Sequence, residues 1–196
     1  MWVVVGLGNP GRRYAATRHN MGFRVIDRLA ERWDVRAERA AHQALVGEAH
    51  RGGERVLLAK PQTHMNASGA AVASLRRFYR FGLERLMVVH DDVDLEPGRV
   101  RIRVGGSAGG NRGVESLIAA LEASEFLRVK IGVGRPPAGW DTADHVLAVP
   151  GREEATVLAA ACTRAAEAVD LVIADGATRA MNRINQREKD HGGPPL

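Results

Sequence analysis

Apolar and polar positions along this chain switch repeatedly between a strand period and a helix period. Trp2 to Val5 is a continuous apolar run, the length of a buried strand, and it opens directly into Gly6-Leu7-Gly8-Asn9-Pro10-Gly11. From about Asn20 to Trp33 the spacing becomes helical, with Val25, Ile26, Leu29, Ala30 and Trp33 on one face. Two strands are predicted near Ala44 to His50 and Arg55 to Lys60, joined at Gly52-Gly53 as a hairpin. A helix near Ser68 to Phe81 presents Ala71, Val72, Leu75, Phe78 and Tyr79, and Leu86 to His90 reads as a short buried strand. Arg99 to Val104 alternates strictly, with Val100, Ile102 and Val104 pointing one way and Arg99, Arg101 and Arg103 the other. A helix from about Gly113 to Ala123 and a strand from Phe126 to Val133 follow, and Val146 to Val149 reads as a short edge strand or a loop. A long helix from Glu153 to Ala174 turns Val157, Leu158, Ala161, Cys162, Ala165, Val169 and Val172 inward, with a short helix predicted after Asp175-Gly176. The polar tail, Arg187 to Leu196, carries Gly-Gly-Pro-Pro and is expected to fray.

Interleaved strands and helices predict an α/β fold. The expectation is a single domain over residues 1–186, built on a twisted mixed central β-sheet flanked by helices on both faces, with a flexible C-terminal tail over 187–196. At 196 residues and 45% hydrophobic content the chain supports one substantial core and is short for two. Folds of this kind place ligands at the loops after the carboxyl ends of the strands. The chemistry-bearing residues fall there: Asn9 after the first strand, the Met65-Asn66 loop, Asp91 after the Leu86 strand, and the glycine loop after Val104.

Composition narrows the function classes. No apolar run approaches the roughly 20 residues needed to span a bilayer. The N-terminal run is too short, and lacks the preceding basic region, to be a signal peptide. One cysteine, Cys162, excludes an intrachain disulfide framework and fits the reducing cytoplasm; in its helical setting it reads as a buried thiol. The net charge of +5 and a pI near 10.1 make polyanions, RNA first among them, natural partners. Arginine outnumbers lysine 25 to 3. GC-rich coding alone would produce that skew, yet the planar guanidinium also suits phosphate, which it binds bidentately.

Gly6, Gly8 and Gly11 satisfy the G-x-G-x-x-G pattern of a dinucleotide-binding loop, but the physics disfavours that reading. The motif requires a helix to begin at the third glycine and hold pyrophosphate at its N-terminus. Here Pro10 and the basic segment Arg12 to Arg18 intervene, and Asn9, preceding a proline, is biased away from helical dihedrals. Asp27 and Glu31 fall at the spacing of the ribose-binding acid but lie in a helical pattern rather than at a strand end. The glycines are instead expected to turn the backbone so that Asn9 and His19 face one site.

Four polar loop segments remain: Asn9 with Tyr14 and His19; Gln62-Thr63-His64-Met65-Asn66; His90-Asp91-Asp92-Val93-Asp94; and Gly105 to Arg112. A histidine with a carboxylate on its other ring nitrogen can deprotonate water near neutral pH, and amides can donate hydrogen bonds to a developing oxyanion. No serine or cysteine sits in a nucleophile context, so water is the simpler nucleophile. The seven histidines show no zinc spacing, and Asp-Asp-Val-Asp lacks the glycine and distant glutamate of a calcium loop. Spacing alone leaves a hydrolase and a binding module both open.

Taken together, the segments VVGLGNPGRRYAATRHNMGF, KPQTHMNASG, VVHDDVDLEPGRVRIR, the Gly105 to Gly113 loop, VKIGVGRP and DGATRAMNRIN resemble the bacterial peptidyl-tRNA hydrolase family, in family order across nearly the whole chain. The resemblance implies a monomeric α/β enzyme, without metal or other cofactor, that cleaves the ester joining a peptide or N-blocked amino acid to the 3′ ribose of tRNA. Its partner would be peptidyl-tRNA, engaged at the acceptor end and 5′ phosphate region, with no membrane and no obligate protein partner. His19 would be the general base, and Asp91 would orient and support it. Asn9 would contact the substrate near its first amide. Tyr14, His64, Met65 and Asn66 would line the pocket, with Asn66 also holding the substrate carbonyl or the water. Arg103 and Lys130, with Arg101 beside them, resemble the family's clamp on the tRNA 5′ phosphate, while Arg99 reads equally well as a solvated edge.

Two departures stand out. The family's His-Asn after the paired glycines is Asn111-Arg112 here. Either Asn111 supplies the amide from one position earlier, or Arg112 binds ribose or phosphate by charge; the expectation is that Arg112 occupies the family's position with a changed contact. His64 replaces the usual aromatic before Met-Asn and can still stack on a base. A non-catalytic RNA-binding relative and a nucleotide-dependent oxidoreductase are the alternatives. The pairing of His19 with Asp91 beside Asn9 and Asn66 favours the hydrolase, because a pure binder would not need both.

Overall fold

The first apolar run lies at the middle of the sheet. In the computed structural model, which describes residues 1–186, β1 (Trp2–Gly6) is buried along its whole length. It pairs in parallel with β4 (Glu54–Pro61) on one side and β5 (Leu86–Asp92) on the other. Outside these lie β2 (Arg39–Ala41) and β3 (Ala44–Arg51) at one edge, and β7 (Leu127–Gly132) and β6 (Val100–Val104) at the other. The strand order is β2-β3-β4-β1-β5-β7-β6, with β2, β3 and β6 running antiparallel to their neighbours. The sheet is mixed, as expected, and the Gly52-Gly53 turn joins β3 to β4.

Because β1 and the Leu86 to Val89 part of β5 are covered on both faces, these residues are apolar in sequence rather than alternating. One face packs against α1 (Met21–Arg32), α5 (Arg152–Asp175) and α6 (Ala177–Ile184), where Val4, Met87 and Val89 meet Ile26, Leu29, Leu158 and Val169. The other packs against α2 (Ser68–Tyr79) and α3 (Arg112–Leu121), where Val3, Val5 and Val88 meet Val72, Leu75, Val114 and Leu117. Each such side chain removed from water contributes about 1.5–3 kcal/mol before conformational entropy is counted. Among the described residues no helix is long and apolar enough to cross a membrane.

Several local expectations need correction. Residues 146–149 form neither an edge strand nor a simple loop, because Val146 and Leu147 belong to α4 (Thr142–Leu147). Asp141 caps this helix by accepting from the Ala143 N–H at 2.9 Å, and His145 Nε2 reaches the Gly134 carbonyl at 3.0 Å. The strand β2 was not anticipated; it is too short and polar to carry a period. Phe78 does not face the core but is 65% exposed, since the last turn of α2 extends past the inward stripe of Ala71, Val72 and Leu75. Its ring packs on His42 instead, 4.6 Å between centroids. Val157 is likewise exposed, its methyl lying over Gly98 rather than in the core. Arg99 is no solvated edge: it donates to the Asn185 and Gln186 carbonyls at the end of α6. The expected tail, 187–196, lies outside the described residues.

Candidate active site

The strand order reverses at β1, whose neighbours β4 and β5 come later in the chain on opposite sides, and a crevice opens there at the carboxyl ends of the strands. Close backbone approach builds one wall. A Cβ on Gly6 would stand 2.2 Å from the Gly22 carbonyl oxygen, and one on Gly22 would stand 2.2 Å from the Leu7 nitrogen. The pair lets α1 press onto the end of β1. The expectation that all three glycines of the opening loop serve as turn formers is therefore revised: only Gly11, at φ 105°, needs a positive dihedral.

The contact sets the single 3-10 turn Arg18–Asn20 into the crevice with all three side chains buried. His19 Nδ1 lies 2.9 Å from each carboxylate oxygen of Asp91, at the end of β5. An ionised carboxylate only accepts, so Nδ1 carries the proton and Nε2 presents its lone pair. Asn20 brackets the loop after β1: its Oδ1 accepts from the Asn9 N–H and its Nδ2 donates to the Asn9 carbonyl, both at 2.9 Å. Asn9 Oδ1 accepts from the Met65 N–H at 2.8 Å. That bond fixes the amide's orientation and leaves Nδ2 as its donor.

These groups line a cavity of about 570 Å³. Asn9, Tyr14, His19 and Asp91 lie on its walls together with His64, Met65 and Asn66 from the turn after β4. Asn111 and Arg112 line it from the start of α3, and Ala143, Val146 and Leu147 from α4. Met65 is buried, and its sulfur lies 2.5 Å from where a Cβ on Gly113 would be, so glycine at 113 is what admits it.

At the departure from the family pattern, the side chain that reaches the site's carboxylate belongs to Asn111 and not to Arg112. Asn111 caps α3 by accepting from the Gly113 and Val114 N–H groups at 3.0 and 3.1 Å, and its Nδ2 donates to Asp91 Oδ1 at 3.1 Å. A capping residue turns its side chain back across the helix start, whereas Arg112, the first helical residue, is exposed at the cavity's edge.

Beside the pair, His90 is fully buried and its Nδ1 donates to the Asp91 carbonyl at 2.7 Å. Burial pulls its pKa from the ordinary 6.5 down to about 4, against the upward pull of the Asp91 carboxylate. Asp92 is ion-paired with Lys130. Its burial works to raise the carboxyl pKa, but the bond and charge from Lys130, with a bond from the Asp94 N–H, outweigh that and hold it below the usual range.

The register between β6 and β7 sets Arg101 opposite Lys130 and Arg103 opposite Arg128, four cations on one sheet face. Arg101 and Arg103 are exposed, while Lys130 is half-buried against Asp92. Sequence reasoning missed Arg128. It is buried, stacks on Phe126, and donates to the Gly106, Ser107 and Ser124 carbonyls, thereby fastening the glycine loop. Burial first, and Arg103 second, lower its pKa. Arg18 and Asn20 were also missed as structural members of the site; their place beside His19 was the available signal. Among the described residues no group of three or more His, Cys, Asp or Glu side chains is arranged to hold a metal ion.

Comparison with known proteins finds relatives along nearly the whole chain. Residues 3–191 match the sequence model of a family described as peptidyl-tRNA hydrolase. A peptidyl-tRNA hydrolase of Symbiobacterium thermophilum is 50% identical over 185 residues, covering 93% of this chain and 98% of that protein. One from Lachnoclostridium phytofermentans is 46% identical, covering 96% and 98%. The crystal structure of peptidyl-tRNA hydrolase from Acinetobacter baumannii superposes with a TM-score of 0.89 at 33% identity over 94% of each chain.

Proposed function

The chain belongs to the peptidyl-tRNA hydrolase family, and from that premise we propose that it hydrolyses the ester between a peptide, or an N-blocked amino acid, and the 3′ ribose of tRNA, freeing the tRNA for reuse. His19 Nε2 takes a proton from water as the water oxygen attacks the ester carbonyl. Asp91 holds the imidazole in the required tautomer and stabilises the imidazolium that forms. When the tetrahedral intermediate collapses, the C–O bond to the ribose breaks and the imidazolium returns its proton to the departing 3′ oxygen. The observation that carries the reading is the buried 2.9 Å contact of His19 with both Asp91 oxygens, on the wall of the cavity of about 570 Å³.

Asn9 supports selectivity for blocked substrates. Its oxygen is engaged by Met65, so the amide faces substrate as a donor. An acylated amine offers a carbonyl that accepts from it, whereas a free ammonium offers only further donors. Asn66 holds the substrate carbonyl or the attacking water, and Tyr14, His64 and Met65 receive the acyl and terminal-ribose portion. Arg101, Arg103 and Lys130 receive the tRNA backbone near the 5′ phosphate, where phosphate contacts position RNA without reading its sequence. Arg112, exposed at the mouth, adds charge on the same approach. The enzyme works as a monomer in the cytoplasm.

The test is hydrolysis of N-acetyl-aminoacyl-tRNA against the unblocked aminoacyl-tRNA, with and without chelator. Cleavage of the blocked substrate alone, unaffected by chelator, is expected. Equal cleavage of both would refute the role of Asn9, and loss of activity with chelator would refute the water–histidine chemistry.

A further inference from the structure

We infer that Arg18 is a positioning residue of this reaction, holding α4, a wall of the cavity, against the turn that carries His19. The inference rests on the reading of His19 as the base. In a 3-10 turn three residues complete one revolution, so successive side chains point in three directions. Each residue of Arg18–Asn20 is used to hold a different part of the site. Asn20 fixes the loop after β1, and His19 joins the end of β5. Arg18 takes the third direction.

The Arg18 side chain is buried, and its donors are engaged on one stretch of chain. Nε and Nη2 bind the two oxygens of Glu154 at 2.7 and 2.6 Å, while Nη1 donates to the His145 and Ala148 carbonyls at 3.2 and 3.3 Å. The Arg18 backbone N–H donates to the same Ala148 carbonyl at 3.3 Å. Glu154 lies in the first turn of α5, where the helix dipole favours a carboxylate. The guanidinium thus bridges the end of α4 and the start of α5 while being covalently next to His19.

α4 has six residues, too few to hold its own position, yet Ala143, Val146 and Leu147 line the cavity. The bonds from Arg18 set its distance from His19. A lysine keeps the charge but loses the planar fork that grips Glu154 and both carbonyls together.

The experiment uses the full chain with Arg18→Lys, Arg18→Gln, Glu154→Gln and the double variant Arg18→Gln/Glu154→Gln, with thermal melts as a folding control. kcat and KM are measured on N-acetyl-aminoacyl-tRNA, and hydrogen exchange is followed in residues 138–150. The expected result is a loss of kcat of about ten- to a hundredfold in each single variant, the scale of a small misplacement in a site. Exchange in α4 should rise, and the double variant should be no slower than the worse single. Wild-type kcat in Arg18→Lys and Glu154→Gln would overturn the inference. So would a rise in KM alone, which would make Arg18 a substrate contact, or additive losses in the double variant. If Arg18→Gln fails to fold, Arg18→Lys and Glu154→Gln decide. Turnover by His19→Asn would refute the reading of the base, while the exchange measurement would still test the tie between Arg18 and α4.

Discussion

Replacing Asp91 by asparagine removes one charge and almost no volume. The carboxylate is 2% exposed and sits 2.9 Å from His19 Nδ1 through both oxygens, so solvent screens it little. At a charge separation of about 4 Å and an effective dielectric of about 20, its attraction for an imidazolium is about 4 kcal/mol. Lost in the transition state, that is about a thousandfold in rate at about 1.4 kcal/mol per decade. Geometry adds a second effect. Asn111 Nδ2 donates to Asp91 Oδ1, so an asparagine at 91 would keep its oxygen toward Asn111 and place its NH2 where Oδ2 now meets the imidazole. Nδ1 would then accept a hydrogen bond, and the proton would move to Nε2, where a base must have none. The chemical step should fall by at least about a hundredfold in single-turnover hydrolysis of N-acetyl-aminoacyl-tRNA with enzyme in excess. Nitrogen-15 NMR should show the His19 proton on Nε2. A rate within threefold of wild type, or a proton still on Nδ1 in the variant, would refute the reasoning.

Other outcomes follow from the same structure. Arg103→Ala should weaken tRNA binding and flatten its dependence on log salt by about one contact's worth; an unchanged slope removes Arg103 from the interface. Lys130→Met should do more, leaving Asp92 buried without its cation at a cost of about 3–5 kcal/mol; an unchanged melting temperature would refute that dependence. His90 has a folded pKa below its unfolded value, so between pH 6.5 and about 4 the unfolded chain takes up a proton the folded chain refuses. Stability should therefore fall as pH falls through that window, by at most about 3 kcal/mol, and His90→Asn should flatten the melting-temperature profile there. An equally steep profile in the variant would assign the effect elsewhere.

The fold was largely legible because the strongest periods belong to elements buried on a whole face. The apolar runs of β1 and of Leu86 to Val89 in β5, and the helical stripe of α1, leave few alternatives. What escaped was short or terminal. α4 offers six residues, less than two turns of pattern, and is held by Asp141, His145 and Arg18 rather than by an apolar face. Phe78 and Val157 satisfy the period of their helices, but the sequence does not say where the sheet beneath a helix ends. In the site, the loops carrying Asn9, His19, Asn66 and Asp91 stood out by residue type, but the roles expected of them came from the family resemblance, since spacing alone left a hydrolase and a binding module both open. Which of Asn111 and Arg112 turns inward could not be read, because it depends on where α3 begins. Arg128 was invisible for a related reason: a buried arginine bound only to carbonyls looks, in sequence, like one more surface cation.

The central claim is that one imidazole performs the chemistry, while the cations proposed to hold the tRNA backbone lie outside the cavity it lines. The most direct measurement is turnover of N-acetyl-aminoacyl-tRNA by His19→Ala alongside its affinity for uncharged tRNA. The account predicts turnover reduced to the uncatalysed level with affinity within about threefold of wild type, since the arginines proposed to bind phosphate are untouched. Substantial turnover in that variant would contradict it.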